Sequence, residues 1–293
     1  HTPNAPQPKE YGIDEYRIMG GNGPGWDRKG NLTETDVVHA SYGNPSSDDY
    51  FWTHSTDLVV DEAIKFLDHN KNKSQPFYLN LWTLLPHAPN CPTDEQIAEY
   101  KKIKADPEDF TSWMRGYAKN SKNLQKQMQT YCAAMTNIDK AFGRLLDKLD
   151  EMNITENTLI FFTSDNGPED YHIGNVKNSG MGATGPLRGR KRSIYEGGVR
   201  MPCIARWPGK IPAGRIDKTS VIGAVDWLPT VCSVTGIKVP DIKPDGNDFS
   251  EILKGKPKLR TTPLFWEWRG GVVGNQAYRP PRLAIRDGKW KLF

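Results

Sequence analysis

At roughly 150 residues per domain, a chain of 293 residues holds one large domain or two modest ones and can bury a sizeable core. Charged residues make up 25% and apolar residues 37%, the balance of a folded globular chain rather than a disordered one. The net charge of +4 is too small to argue for a nucleic-acid partner, and the apolar runs are too short for a transmembrane helix. Cys91, Cys132, Cys203 and Cys232 lie far apart with no C-x-x-C pair, so neither a zinc knuckle nor a dense disulfide framework is expected.

Residues 1–56 are rich in Pro, Gly, Asn and Tyr and show little periodicity, which fits surface loops of a larger α/β enzyme or a binding segment. The spacing of Val59, Val60, Ala63, Ile64, Phe66 and Leu67 predicts a helix over 57–70, capped by Thr56 or Asp57. The apolar run Phe77 to Trp82 predicts a buried strand. Thr93-Asp94-Glu95-Gln96 reads as a helix start with carboxylates in its first turn. A long helix is predicted over about 121–152, from Leu124, Met128, Tyr131, Met135, Ile138, Phe142, Leu145, Leu146 and Leu149.

Thr158 to Thr163 is the strongest buried-strand signal, and helix followed by apolar strand predicts half of a parallel β-α-β unit. Cys203 to Trp207 and Thr219 to Gly223 are predicted as further strands, and Asp226 to Thr235 as a helix stopped by Gly236. Beyond Gly236, Pro-Asp-Gly turns alternate with short strands such as Leu264 to Trp268 and Leu283 to Ile285. This predicts a domain over 1–236 and a smaller, mostly antiparallel part over 237–293.

Three loops carry candidate chemistry. Ser164-Asp165-Asn166-Gly167 follows the apolar strand, and its adjacent carboxylate and amide offer hard oxygen ligands for Ca²⁺ or Mg²⁺. The same residues also make a good turn. Pro86-His87-Ala88-Pro89 follows the earlier apolar run; the prolines favour an extended backbone and aim an imidazole that can donate a proton to a leaving oxygen. Taken alone, a loop histidine is more often a surface or packing residue. The stretch from Gly185 to Arg200 places Arg188, Arg190, Lys191 and Arg192 on a glycine-punctuated loop, suited to a sulfate or phosphate group or simply to water. It lacks the aromatic interleaving of a nucleic-acid patch.

Taken in order, Pro-His-x-Pro, Ser-Asp-Asn-Gly, Leu187-Arg188-Gly189-x-Lys191 and Tyr195-Glu196-Gly197-Gly198-Val199-Arg200 resemble the sulfatase family of the alkaline-phosphatase-like superfamily. The likeness extends through Ala205-Arg206-Trp207-Pro208-Gly209, Asp226-Trp227-Leu228-Pro229-Thr230 and Ala284 to Leu292, with Tyr11-Gly12-Ile13-Asp14-Glu15 upstream. It implies an α/β fold with a mixed sheet flanked by helices and a small C-terminal antiparallel subdomain. It also implies that Asp165 and Asn166 ligate the active-site divalent cation, normally Ca²⁺, that Lys191 grips the sulfate, and that His87 assists departure of the ester oxygen.

Family members attack sulfur with a formylglycine made from a C/S-x-P-x-R motif, which is absent from these residues. The resemblance therefore implies the C-terminal two-thirds of a sulfatase, truncated at both ends, with its nucleophile elsewhere and inactive alone. Arg192 stands where glycine is usual, and His1 is a candidate last residue of a Gly-Lys-Trp-His motif. The implied substrates are sulfated carbohydrates or aryl sulfates, with Tyr171, His172, Asn175 and Lys177 as candidate sugar contacts. Neither nucleic acid nor a membrane span is implied, and the setting is extracellular, periplasmic or lysosomal, with sequons at Asn31, Asn72 and Asn153. Two alternatives remain: a phosphate or phosphonate ester hydrolase of the same superfamily, and a non-catalytic protein that binds sulfated glycans.

Overall fold

Helical periodicity dominates the first half of the chain and short antiparallel strands the second. The computed structural model describes residues 6–18, 24–34, 49–170, 174–271 and 281–293. It divides into two units, His1–Glu151 with Glu169–Ala183, and Met152–Pro168 with Thr184–Phe293.

In the first unit, β1 (Gly25–Trp26) and β2 (Leu32–Thr33) pair antiparallel around a turn held by Asp27, whose carboxylate accepts the N–H groups of Lys29 and Asn31. Then follow α1 (Tyr50–Asn70), α2 (Asp94–Ala98), α3 (Ser112–Asn120) and α4 (Leu124–Glu151). Of the predicted stripe of α4, Leu124, Ile138, Leu145 and Leu149 are interior, with Ala134 and Ala141 between them, whereas Met128, Tyr131, Phe142 and Leu146 are half-buried and Met135 is exposed. Each interior Leu or Ile contributes roughly 1.5–3 kcal/mol. α1 packs on α4, and Arg144 of α4 bridges Asp57 and Asp61 of α1. α2 carries the predicted cap, since Thr93 Oγ1 accepts the Gln96 N–H while the Gln96 side chain accepts the Thr93 N–H at 2.7 Å.

Two expectations in this unit are corrected. α1 begins at Tyr50, so Thr56 and Asp57 lie within the helix, past a non-helical residue at His54. Burial of Phe51 and Trp52 against Trp26 recruits that extra turn, a tertiary gain that helical spacing does not encode. Phe77 to Trp82 forms no strand, and Trp82 is 72% exposed. An extended segment becomes a strand only when a neighbour takes up its ladder hydrogen bonds, and none among the described residues does so here.

The second unit starts with β3 (Ile160–Thr163). α5 (Glu196–Val199) precedes β4 (Cys203–Arg206), which pairs antiparallel with β3 and sets Phe161 opposite Ala205. The expected buried strand of a parallel unit is therefore, among the described residues, one strand of an antiparallel pair. Phe162 is 41% and Ile204 59% exposed. A second correction concerns 219–223. The Asp217 carboxylate accepts the N–H groups of Thr219 and Ser220, which turns the chain where a strand was expected.

α6 (Trp227–Thr235) ends as predicted at Gly236, whose φ is 74°, and α7 (Ser250–Leu253) follows. Asp226 forms a buried ion pair with Arg260 at 2.6 Å and accepts the N–H groups of Gly223 and Asn247. β5 (Leu264–Glu267), β6 (Leu283–Asp287) and β7 (Trp290–Leu292) make the expected antiparallel sheet in the order β5-β6-β7. Register places Leu264, Arg286 and Lys291 in one row. No helix of the described residues is long and apolar enough to cross a membrane.

Candidate active site

Asp165 and Asn166 sit on the turn directly after β3, in the second unit. The Ser164 hydroxyl donates to the Asn166 carbonyl at 3.0 Å, and the Asn166 amide nitrogen donates to the Gly167 carbonyl at 3.0 Å. Asn166 Oδ1 accepts no hydrogen bond from a described residue. The Asp165 carboxylate is exposed and bonds to no described residue. The pair thus reads both ways at once, since the turn is real and it presents two hard oxygens.

This turn is bound to the basic loop. Gly167 N–H donates to the Gly198 carbonyl at 3.0 Å, and Lys191 N–H donates to the Pro168 carbonyl at 3.0 Å. Within the loop, Gly197 N–H donates to the Arg188 carbonyl at 2.7 Å, and Gly198 N–H to the Tyr195 carbonyl at 2.9 Å. A β-carbon on Gly167 would overlap the carbonyl oxygen of Gly197, one on Gly197 that of Gly189, and one on Gly198 that of Ser193. Three glycines therefore let three backbone segments touch, an arrangement no other residue permits. Backbone hydrogen bonds thus join the Asp165-Asn166 turn to the Lys191 loop.

The basic run is not uniformly solvated. Arg190 is 1% exposed, whereas Arg188 is exposed and lies over the Tyr195 ring at 4.1 Å from its centroid. Lys191 and Arg192 are half-buried. Arg192 has φ 71°, the left-handed region that favours glycine, so the residue standing in glycine's usual place does so at a backbone cost.

His87 belongs to the first unit. It occupies a tight turn rather than an extended segment, its N–H donating to the Leu84 carbonyl at 2.9 Å. This corrects the expectation from the flanking prolines, because Leu85 is drawn into a cluster with Ala134 and Ile138 of α4 and bends the chain there. Asn90 steadies the turn by donating to the Pro86 carbonyl at 3.2 Å, and its own side-chain oxygen accepts the Ser179 hydroxyl at 2.9 Å. His87 Nδ1 lies 2.6 Å from the Ala88 carbonyl, an acceptor, which requires the proton on Nδ1. Nε2 is the ring's other nitrogen, on a residue that is exposed.

Asp165 and Asn166 suit a hard divalent cation by donor type, but their side chains supply at most three of the six to eight oxygens that Ca²⁺ takes. No cluster of three or more His, Cys, Asp or Glu side chains poised for a metal occurs among the described residues. His1, Tyr171 and His172 lie outside the described residues, and only the backbone of Asn175 and Lys177 is described. Sequence reasoning missed Glu196 as a junction. Its carboxylate pairs with Arg286 at 3.2 Å and Lys291 at 2.8 Å, both on the C-terminal sheet. The signal was there in the closely spaced cations of Arg286 to Lys291, but nothing local named their partner.

The family model described as Sulfatase matches residues 9–237, and one for the C-terminal part of N-sulphoglucosamine sulphohydrolase matches residues 189–293. The chain belongs to the sulfatase family. It is 29% identical over 230 residues to a sulfatase of Formosa agariphila, covering 74% of this chain and 37% of that protein. It is 32% identical over 269 residues to the N-acetylgalactosamine-6-sulfatase of Canis lupus familiaris, covering 91% of this chain and 42% of the relative. Among solved structures, Ps i-CgsB in complex with k-i-k-neocarrahexaose aligns with TM-score 0.60 and 27% identity, over 80% of this chain and 45% of the other. The fold is accordingly the alkaline-phosphatase-like α/β fold of sulfatases. This sulfatase chain spans less than half the length of these relatives.

Proposed function

We propose that the whole protein hydrolyses sulfate esters, with sulfated carbohydrates as substrates. In this reading residues 1–236 are part of its catalytic domain and 237–293 of a C-terminal subdomain. The observation that carries the reading is the bonding of the Asp165-Asn166 turn to the Lys191 loop through Gly167–Gly198 and Pro168–Lys191. An oxygen-ligand pair and an ammonium fixed on one backbone framework are what a single tetrahedral anion needs. The carbohydrate assignment draws on the relatives, one named for N-acetylgalactosamine-6-sulfate chemistry and one bound to a neocarrahexaose.

Lys191 binds and orients the sulfate, placing its positive charge where the oxygens gain charge in the transition state. Asp165 and Asn166 would hold a Ca²⁺ ion, which when bound withdraws charge from the sulfate. His87, with Nδ1–H committed to the Ala88 carbonyl, delivers a proton from Nε2 to the departing alkoxide. The nucleophile in this reading is a formylglycine supplied from outside these 293 residues, so this chain alone turns nothing over. The compartment is extracellular, periplasmic or lysosomal. Assays of the whole protein on aryl sulfates and sulfated glycans test the reading. Hydrolysis of phosphodiesters without any sulfate ester would overturn it, as would binding of sulfated glycans without turnover.

A further inference from the structure

Glu196 opens the Glu-Gly-Gly turn that is wedged into the Lys191 loop, and its carboxylate is the meeting point of two cations from distant sequence. Arg286 of β6 contacts it at 3.2 Å and Lys291 of β7 at 2.8 Å, from 90 and 95 residues away. Arg286 and Lys291 are register partners on adjacent strands, so one carboxylate grips two strands of the sheet at once. The cluster is partly shielded: side-chain exposure is 25% for Glu196, 23% for Arg286 and 10% for Lys291.

Aromatic contacts close around it. Lys291 Nζ lies 4.4 Å from the centroid of Trp266 on β5 and 5.5 Å from that of Phe293. Phe293 in turn packs on Tyr195 at 4.9 Å, with Arg188 on the same Tyr195 ring. The Lys191 loop is thus held from one direction by the Asp165-Asn166 turn and from another by the C-terminal sheet. There is little slack in between. Gly197 and Gly198 lie against the backbone of Arg188, Gly189, Arg190 and Ser193 too closely to admit a β-carbon. A shift of Glu196 therefore moves the segment on either side of Lys191 with it.

We infer that Glu196 is a positioning residue for the anion site, through which Arg286 and Lys291 of the C-terminal sheet set the placement of Lys191. The inference rests on the sulfatase reading above, in which Lys191 grips the sulfate. Its specific content is that the C-terminal sheet tunes affinity for the anion, beyond adding stability.

The test uses the whole protein, 4-nitrophenyl sulfate as substrate and inorganic sulfate as competitive ligand, well below the melting temperature of every variant. Glu196→Gln keeps the shape and removes the charge. It is expected to weaken sulfate binding and lower kcat/KM by about tenfold to a hundredfold, the scale of a small misplacement of a binding group. Lys291→Gln is expected to act in the same direction while Arg286 still bonds Glu196, and it decides the matter if Glu196→Gln does not fold. The double variant is expected to be no worse than the more affected single variant, because both remove the same link. Folded variants within twofold of wild type in sulfate affinity, or effects that simply add, would overturn the inference while leaving the functional reading intact. A wild-type protein that neither binds sulfate nor cleaves the ester would overturn the functional reading, and this inference with it.

Discussion

Gly167 donates its backbone N–H to the Gly198 carbonyl at 3.0 Å, and its α-carbon faces Gly197 with no room for a methyl group. The contact is backbone on backbone, so no side-chain rotation relieves it. Gly167→Ala is therefore expected to destabilise the protein by about 1–3 kcal/mol or more, the scale of overpacking a tight interior. Urea denaturation measures this, and a loss under about 0.5 kcal/mol, the level of an ordinary surface change, would contradict it.

Arg192 lies in the left-handed region at φ 71°. Comparing Arg192→Gly with Arg192→Ala removes the same side-chain contacts in both variants and isolates the backbone. The glycine variant is expected to be the more stable by about 1 kcal/mol, since alanine retains the β-carbon clash that glycine lacks. Equal unfolding midpoints for the two variants would refute the strain assignment.

The Asp226–Arg260 pair is almost wholly buried, with side-chain exposure of 4% and 5%. Arg260→Met leaves the carboxylate with the N–H groups of Gly223 and Asn247 but without its countercharge. The expected cost is about 3–5 kcal/mol, most of it from the uncompensated charge rather than from the lost attraction. Thermal or chemical unfolding of the variant provides the check.

Burial is the largest single influence on the Asp217 carboxyl and pushes it up. The N–H groups of Ser220 and Thr219, the Ser220 hydroxyl and the Arg215 guanidinium together outweigh it and hold the pKa at about 2. A carboxyl depressed in the folded state contributes stability above its unfolded value near 3.8, and that contribution fades as pH falls towards about 2. Wild-type stability is thus expected to drop more steeply than that of Asp217→Asn across this window. Parallel acid-unfolding curves would show that the turn contributes nothing through charge.

In the proposed mechanism His87 would supply its proton from Nε2, which would matter in proportion to how poor the leaving group is. For sulfated sugars, whose alkoxides leave reluctantly, His87→Ala is expected to lower kcat by about 10²–10⁴-fold. For 4-nitrophenyl sulfate, whose phenolate needs little help, a loss below about tenfold is expected, since little proton transfer is required. Steady-state kinetics of the whole protein on both substrates gives the comparison; an equal loss on the two would argue against proton donation.

Much of this protein was legible in its linear order. The capping box at Thr93, the stripe of α4 and the αL stop at Gly236 depend on neighbours within a few residues, so propensity and spacing suffice. The motifs around His87, Asp165, Asn166 and Lys191 pointed to the family for the same reason, each being a short run of unusual chemistry. What spacing could not reveal depends on partners far along the chain. Whether Phe77 to Trp82 has a strand beside it, which cation of 188–192 turns inward, and where Glu196 finds its countercharges are all settled by non-local contacts. Glycine shows this division most clearly: the letters mark permission for close approach, but only the folded backbone shows Gly167 using it against Gly197, and Gly197 and Gly198 against Gly189 and Ser193.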